Sequence, residues 1–468
     1  MFPEAFGVFQ VKNVFPGKFF RKSKNGIHTQ KMEGYIMSTR MSFTAVGDML
    51  VQRRLPHDYP GFSEIVSEIS KGDMRFFNLE TTIHNYESYG SQYNGGSYLC
   101  APPEALEDAK RFGFNITSFA NNHTLDFSYG GVEKTLENLR KAGLPSSGVG
   151  LNMQQASAPA YIDCESGRAA LIAATSSFNL AAMAGNASHS IIGRPGVNGL
   201  RHNVTYTVDP KYAEALKEIA DATQMNAQNE VIRAEGYLPP LPENVFEFDA
   251  LKFEVGEKTG KKTSVHPGDM ARIERAIYEA ALQADYIVIS IHGHEMRGAV
   301  KSEGAEFLEE FARRCIDCGA HAVVGHGPHV IRALEIYKGC PIFYSLGDFV
   351  LQNENIPKQP ADYFELYQLP SDATMHDLFK ARDAGFTRGL QTKQEAFETY
   401  IPYWEMENGT LTKLTLLATE LGFGLPRSRS GWPAPAKDSS ILDQLAELSA
   451  PYGTKLTIEG NRAEVILS

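Results

Sequence analysis

Five stretches of this 468-residue chain end an apolar run on Asp, Glu, Asn or His. They are AVGD, ending at Asp48; FFNLE, ending at Glu80; and ITSFANNH, carrying Asn122 and His123. The others are YIVISIHGHE, carrying His292, His294 and Glu295, and AVVGHGPH, carrying His326 and His329. Carboxylates, amide oxygens and imidazoles are the donor groups of hard and borderline divalent cations. Asp48 and Glu80 would supply charge, Asn122 an amide oxygen, and His292, His326 and His329 ring nitrogens. Two ions sharing a carboxylate would clamp the attacking and leaving oxygens of a displacement and acidify a water between them. His123, beside Asn122, is placed to protonate a leaving group. The expected cofactor is a divalent metal, Mn or Zn, as one or two ions.

Taken singly, each piece has a plainer use. Asp48 in a Gly-Asp pair also suits a helix or turn cap, and Asn122 and His123 also suit loop hydrogen bonding. His326 and His329 are harder to dismiss, because Gly and Pro in GHGPH fix a tight loop that aims both rings. His294 and Glu295 suit substrate contact or the orientation of neighbouring ligands. Arg194 and Arg297 have the fork that grips a carboxylate or phosphate, and both equally suit solvated surface positions. Arg194, His294 and Glu295 form the expected substrate-binding set.

Such residues need a scaffold that brings distant segments together. Apolar runs of this kind predict buried strands of a largely parallel sheet, whose carboxyl ends collect ligands. PPEALEDAKRFG and GGVEKTLENLRKAG predict helices ending in glycine. APAYIDCESGRAALIAAT predicts a hairpin, as does ALEIYKGCPIFYS with its Lys-Gly turn. Residues 203–268 are polar and rich in proline and charge, and are expected to form an irregular insert. MARIERAIYEAALQ then predicts a helix leading back to the strand DYIVISIH. Residues 1–40 are expected to be an N-terminal extension and 41–360 the metal-binding domain. Residues 361–468, with late strands such as LTKLTLLAT, are expected to be a C-terminal extension packing on the core as a cap over the site. Alternating strands and helices predict an α/β protein with a mixed sheet or two packed sheets.

The net charge of -11 argues against nucleic acid as a partner. An anionic polymer or small-molecule substrate remains compatible, since bound cations would dominate the local field. The sequence has no run of the roughly 18 apolar residues that mark a membrane span, and no cleavage signal. A cytoplasmic location is the expectation, with reversible lipid contact open to the basic, aromatic segment FPGKFFRKSK. Five cysteines give no disulfide framework. Cys315 and Cys318 form a CxxC inside the helical pattern EFLEEFARRCIDCGA, and read as helix-face thiols rather than a zinc site.

GDML, NLETTI, ANNHTLDFSYGGVEKTLENLRKAG, IHGHE, GHGPH and YSLGDF occur in an order and spacing that resembles the bacterial capsule synthesis protein family (CapA, or PGA_cap). That family is associated with poly-γ-glutamate and is related to the calcineurin-like metallophosphoesterases. The resemblance runs from about residue 42 to the end and implies a metallophosphoesterase-like four-layer α/β/β/α sandwich. It implies that Asp48 is the first-strand aspartate, Glu80 the bridging carboxylate, Asn122 an amide ligand and His123 the neighbouring acid. His292 would be the lone late histidine, and His326 and His329 the closing pair. The chain departs from the pattern at Leu50, where phosphoesterases carry His, and at Glu80, where they carry Asp. The closing pair is also one residue further apart. Gly293 stands where the capsule family has Trp, and Asp348 where it has Asn. The implied activity is metal-dependent hydrolysis of poly-γ-glutamate or a related anionic amide or phosphoester. The alternatives are a non-catalytic accessory protein that binds poly-γ-glutamate, and a plain phosphoesterase, which Leu50 disfavours.

Overall fold

A computed structural model of the chain describes residues 40–467. Apart from Arg40, the expected N-terminal extension, with FPGKFFRKSK, lies outside the described residues. The first sheet starts with β1 (Arg40–Leu50), β2 (Met74–Leu79) and β3 (Ile116–Ser118). The chain then builds a second sheet from β4 (Ala160–Cys164), β5 (Gly167–Thr175), β6 (Tyr286–His292), β7 (Ala322–His326), β8 (Leu334–Tyr337) and β9 (Cys340–Phe343). It returns to the first sheet with β10 (Asp348–Leu351), β11 (Glu398–Glu407), β12 (Thr410–Glu420), β13 (Leu456–Glu459) and β14 (Arg462–Val465). The five strands expected from apolar runs are β1, β2, β3, β6 and β7. Both expected hairpins form, as β4–β5 and β8–β9.

The first sheet runs β13-β14-β12-β11-β1-β2-β3, with β10 also paired to β1; the second runs β8-β9-β7-β6-β5-β4. β1 is parallel to β2 and β10 but antiparallel to β11. β6 lies parallel between β5 and β7 and is buried at every position. That explains its largely apolar YIVISIH run, because a strand covered on both faces favours apolar residues, with the small Ser290 the one polar residue before His292. Alternate residues of each strand serve different layers. Phe43, Phe76 and Trp404 of the first sheet share a core with Ile172, Ile289 and Phe343 of the second. Trp404 stacks on Phe43 and packs against Phe343, each at 5.3 Å between ring centroids.

On its other face the first sheet packs Phe77 and Leu79 against α1 (Phe62–Ile69), α2 (Leu106–Phe112) and α3 (Ser128–Ala142). The second sheet is covered by α4 (Pro267–Ala281) and α5 (Glu306–Asp317), whose Ile273, Ile277, Phe307 and Phe311 are buried. Cys315 faces this core and Cys318 follows the helix end, and both are free thiols. The molecule is a mixed α/β protein, and among the described residues no helix is long and apolar enough to cross a membrane.

Two expectations about organisation need correction. Residues 203–268 are not irregular: helices Pro210–Thr223 and Ala227–Ala234 lie with a four-stranded sheet that includes His202–Val208 and Gly260–Val265. The signal was present in short form, since Val204, Tyr206 and Val208 alternate with polar residues, but only a few of these positions are buried and the charged surroundings masked them. The C-terminal segment is not simply laid on the core either. β11 pairs directly with β1, so the end of the chain completes the first sheet.

Candidate metal centre

Strand register assembles the site. Asp48 lies beside Asn78 on one side and Asp348 on the other, while in the second sheet His292 lies beside His326. At Gly47 the backbone passes so close to the Gly347 carbonyl that a Cβ would overlap it, and Gly347 itself has φ +75°. Only glycine permits this approach. It lets the Asp48 N–H donate to Gly347 O at 3.0 Å and locks the two aspartate-bearing strands together.

Asp48 is fully buried; its Oδ1 accepts from Asn78 Nδ2 at 2.6 Å and its Oδ2 from the Gly327 N–H at 2.7 Å. Asn78 is held in turn by Ser118 Oγ at 2.9 Å and lies 3.2 Å from His292 Nδ1. Glu80 Oε1 sits 3.6 Å from His292 Nε2 and 3.9 Å from His123 Nε2. His294 Nε2 lies 3.1 Å from His292 Nε2, and His329 Nδ1 lies 2.8 Å from Asp348 Oδ1. Two groups therefore have donor atoms within 4.8 Å of one another: Asp48, Glu80, His329 and Asp348, and Glu80, His292 and His294. Glu80 belongs to both.

Electrostatics sets these side chains against one another. Burial would raise the Asp48 carboxyl, but its contact with His292 and the fields of His326 and His329 hold it well below the usual range. Glu80 is pushed well up by burial and then by the charges of Asp48, Asp348 and Asp126. Burial also raises Asp348, although His329 opposes the shift. Burial, then His292 and His329, push His294 well down, and burial brings His326 down to about 4. Both Glu80 oxygens, Asp348 Oδ2, Asn122 Oδ1 and both ring nitrogens of His326 are buried with no hydrogen-bond partner. Each such buried polar atom is worth about 1–3 kcal/mol of lost solvation. A cation amid carboxylates that repel, beside the His294 and His326 rings that burial keeps neutral, relieves both penalties, so the donor set fits a metal ion.

The structure brings Asp48, Glu80, His292 and His329 together and sets His326 with Nδ1 3.9 Å from Asp48 Oδ1. Asn122 donates to Gly95 O at 3.0 Å, which leaves its buried Oδ1 free. His294, expected to meet substrate, lies in the second group of side chains that could hold a metal. Glu295 accepts from Ser176 and Ser177 at 2.7 and 2.9 Å and lines the adjoining cleft. Arg194 departs from expectation. Its guanidinium donates to Met183 O, inside its own loop, and it lines neither chamber of the cleft. Its fork is already engaged by backbone. Arg297 pairs with Glu309 instead.

Four further residues support the site. Asp348 was visible only as a departure within YSLGDF. Asn78 is one position before Leu79 in the second run, hidden because a buried Asn resembles any strand-end polar residue. Asp126 lies one turn after His123 and accepts its Nδ1 proton at 2.7 Å, while the Gly95 and Leu99 N–H groups hold the carboxylate. Arg332 is 1 % exposed and donates to the carbonyls of Gly293, His294, Glu295 and Lys301. Nothing in its local sequence marks it.

Two chambers meet at Gly95. One, of about 590 Å³, is bordered by Asn122, Ser176, Ser177 and Glu295. The other, of about 370 Å³, is bordered by His123, His329, Tyr363 and Arg388.

The sequence profile of the family described as bacterial capsule synthesis protein PGA_cap matches residues 42–353. Among curated relatives, "Uncharacterized protein y4sH" of Sinorhizobium fredii is 34% identical over 452 residues, 92% of this chain and 93% of the relative. "Capsule biosynthesis protein CapA" of Bacillus anthracis is 23% identical over 66% of this chain and 60% of its own length. A "Probable polyglutamine synthesis accessory protein" of Mycobacterium tuberculosis is 25% identical over 62% of this chain and 59% of its own length.

Proposed function

The chain belongs to the bacterial capsule synthesis protein PGA_cap family, and from that premise we propose that it is a metal-dependent hydrolase of poly-γ-glutamate or a related anionic amide or phosphoester. The observation that carries this reading is the buried, partnerless carboxylate of Glu80 between the two groups of metal-binding side chains. The two sheets that share a core, with helices packed on each, support a metallophosphoesterase-like sandwich.

Asp48, Glu80, His329 and Asp348 would hold one divalent ion, Mn or Zn, and Glu80, His292 and His294 a second. Such ions supply Lewis-acid polarisation of the bond to be broken. The protein's own groups do the rest. Asp126 fixes the His123 ring through Nδ1, so Nε2 faces the cleft and holds the proton for the leaving group. Gly327 N–H and Asn78 Nδ2 anchor the Asp48 carboxylate, and Arg332 holds the backbone of the loop that carries His294. Burial of the cluster keeps bulk water from screening these charges.

The name of the mycobacterial relative and the apolar Leu50 favour a second reading, in which the site grips an anionic polymer without cleaving it. Incubating the Mn²⁺- or Zn²⁺-loaded protein with γ-linked glutamate oligomers and an aryl phosphate tests both readings. Chain shortening or phosphate release that disappears with chelator supports the hydrolase. Saturable binding with no turnover of either probe favours the accessory role.

A further inference from the structure

The two chambers differ in charge. The residues lining the larger one include hydroxyls and amides but no lysine or arginine, and its carboxylate, Glu295, is occupied by Ser176 and Ser177. The smaller chamber is lined by His123 and His329, by Arg382 and Arg388, and by one carboxylate, Asp383. Arg382 is committed, because its guanidinium pairs with Glu354 and Asp383. Arg388 is not. Its Nε donates to the Arg382 carbonyl at 3.2 Å, and among the described residues no carboxylate forms an ion pair with it. Its side chain is exposed, and its backbone is held at both ends. The Arg388 N–H donates to Asp383 O at 3.2 Å, and its carbonyl accepts from Gln391 Nε2 at 2.6 Å.

Both Nη groups of an anchored arginine are thus left over in a chamber that also exposes the proposed proton donor. We infer that this smaller chamber is an anion subsite, in which the Arg388 Nη fork grips a carboxylate or phosphate of the substrate next to the bond being broken. The inference rests on the hydrolase reading for the position of that bond, but the subsite itself stands on the cavity and the unpaired guanidinium. A planar fork binds either oxyanion in bidentate fashion. A γ-linked glutamate chain offers a carboxylate on each residue, whereas a phosphoester offers a phosphate. The lack of cations in the larger chamber places the acidic group of the substrate on the Arg388 side of the cleft.

Titration calorimetry of the full chain with tetra-γ-glutamate and with inorganic phosphate, with and without Mn²⁺, tests this. Arg388→Gln is expected to weaken at least one probe by about tenfold or more, and Arg388→Lys, which keeps the charge but not the fork, by less. The loss should shrink as salt rises, since exposed charges are screened. A response confined to tetra-γ-glutamate identifies a carboxylate subsite, and one confined to phosphate a phosphate subsite. Unchanged affinity for both probes in Arg388→Gln overturns the inference. So does an equal loss in Arg275→Gln, an exposed α4 position, because the effect would then be one of net charge. If the wild type binds through Arg388 yet cleaves neither γ-glutamyl nor phosphoester bonds, the hydrolase reading fails and the subsite stands.

Discussion

In the proposed hydrolase, His123 and Glu80 would divide the work of the site between a proton and a charge. His123 is oriented by Asp126 and lies 3.9 Å from Glu80 through its other nitrogen, so it is better placed to hold a proton than to anchor an ion. His123→Asn should therefore retain bound metal, measured by elemental analysis, while turnover falls roughly 10²- to 10⁴-fold, the usual loss of a general acid. Asp126→Asn should lower turnover in the same direction with metal retained, because it alters the ring rather than the ions. Glu80→Gln should do the opposite and lose metal outright, since Glu80 belongs to both groups. Equal metal loss in the His123 and Glu80 variants would make His123 a ligand and remove it as the acid.

At the scale of elements, the site depends on two backbone contacts. The approach of β1 to the turn before β10 is possible because position 47 is glycine. Gly47→Ala should destabilise the fold by roughly 1–3 kcal/mol, as overpacking does, and should weaken metal binding by moving Asp48 away from Asp348. A melting temperature and metal affinity equal to wild type would refute the role given to that contact. Arg332→Met should cost about 1–3 kcal/mol by leaving carbonyls without a donor. The β6 end offers a test by acid. His321 accepts from the Ile287 N–H at 3.1 Å, and burial lowers its pKa to about 4. Its unfolded form binds a proton below about 6.5, so folding stability falls as pH drops from there towards 4 and does not change through this group above it. His321→Gln, which retains an acceptor, should make that limb shallower in denaturant titrations of metal-free protein, leaving the share that His294 and His326 contribute.

For the molecule as a whole, a bound metal would tie two sheets that otherwise meet through apolar packing. One of the two groups draws ligands from both: Asp48 from β1, Glu80 after β2, Asp348 from β10, and His329 after β7. Metal at about 100 times its Kd should stabilise the fold by roughly 2.7 kcal/mol, and chelator should reverse this. Calorimetric melting that ignores Mn²⁺, Zn²⁺ and chelator alike would argue that the buried carboxylates serve no ion. The first sheet, which also includes the short strands Ser146–Ser147 and Ala434–Pro435, is completed by the C-terminal strands. Truncation before β11 should therefore abolish folding rather than remove a cap, and a soluble, cooperatively melting fragment ending at residue 360 would overturn this.

Much of the site was legible along the chain because strands reveal themselves locally. An apolar run that ends on an acid or imidazole reports both burial and position, which is why the sequence marks Asp48, Glu80, His292 and His329 as candidates that the fold then brings close together. The family motifs were equally local. What the chain could not express was pairing. The match of Asp48 with Asp348 and the β11–β1 partnership join residues about 300 or more positions apart, and register is set by packing between sheets. The same limit hid Arg332 and Asn78, whose partners are backbone carbonyls and side chains of other strands, and misdirected Arg194, whose fork is taken by its own loop. Local physical chemistry decided which residues end each strand; only the three-dimensional fold decided which of those ends meet.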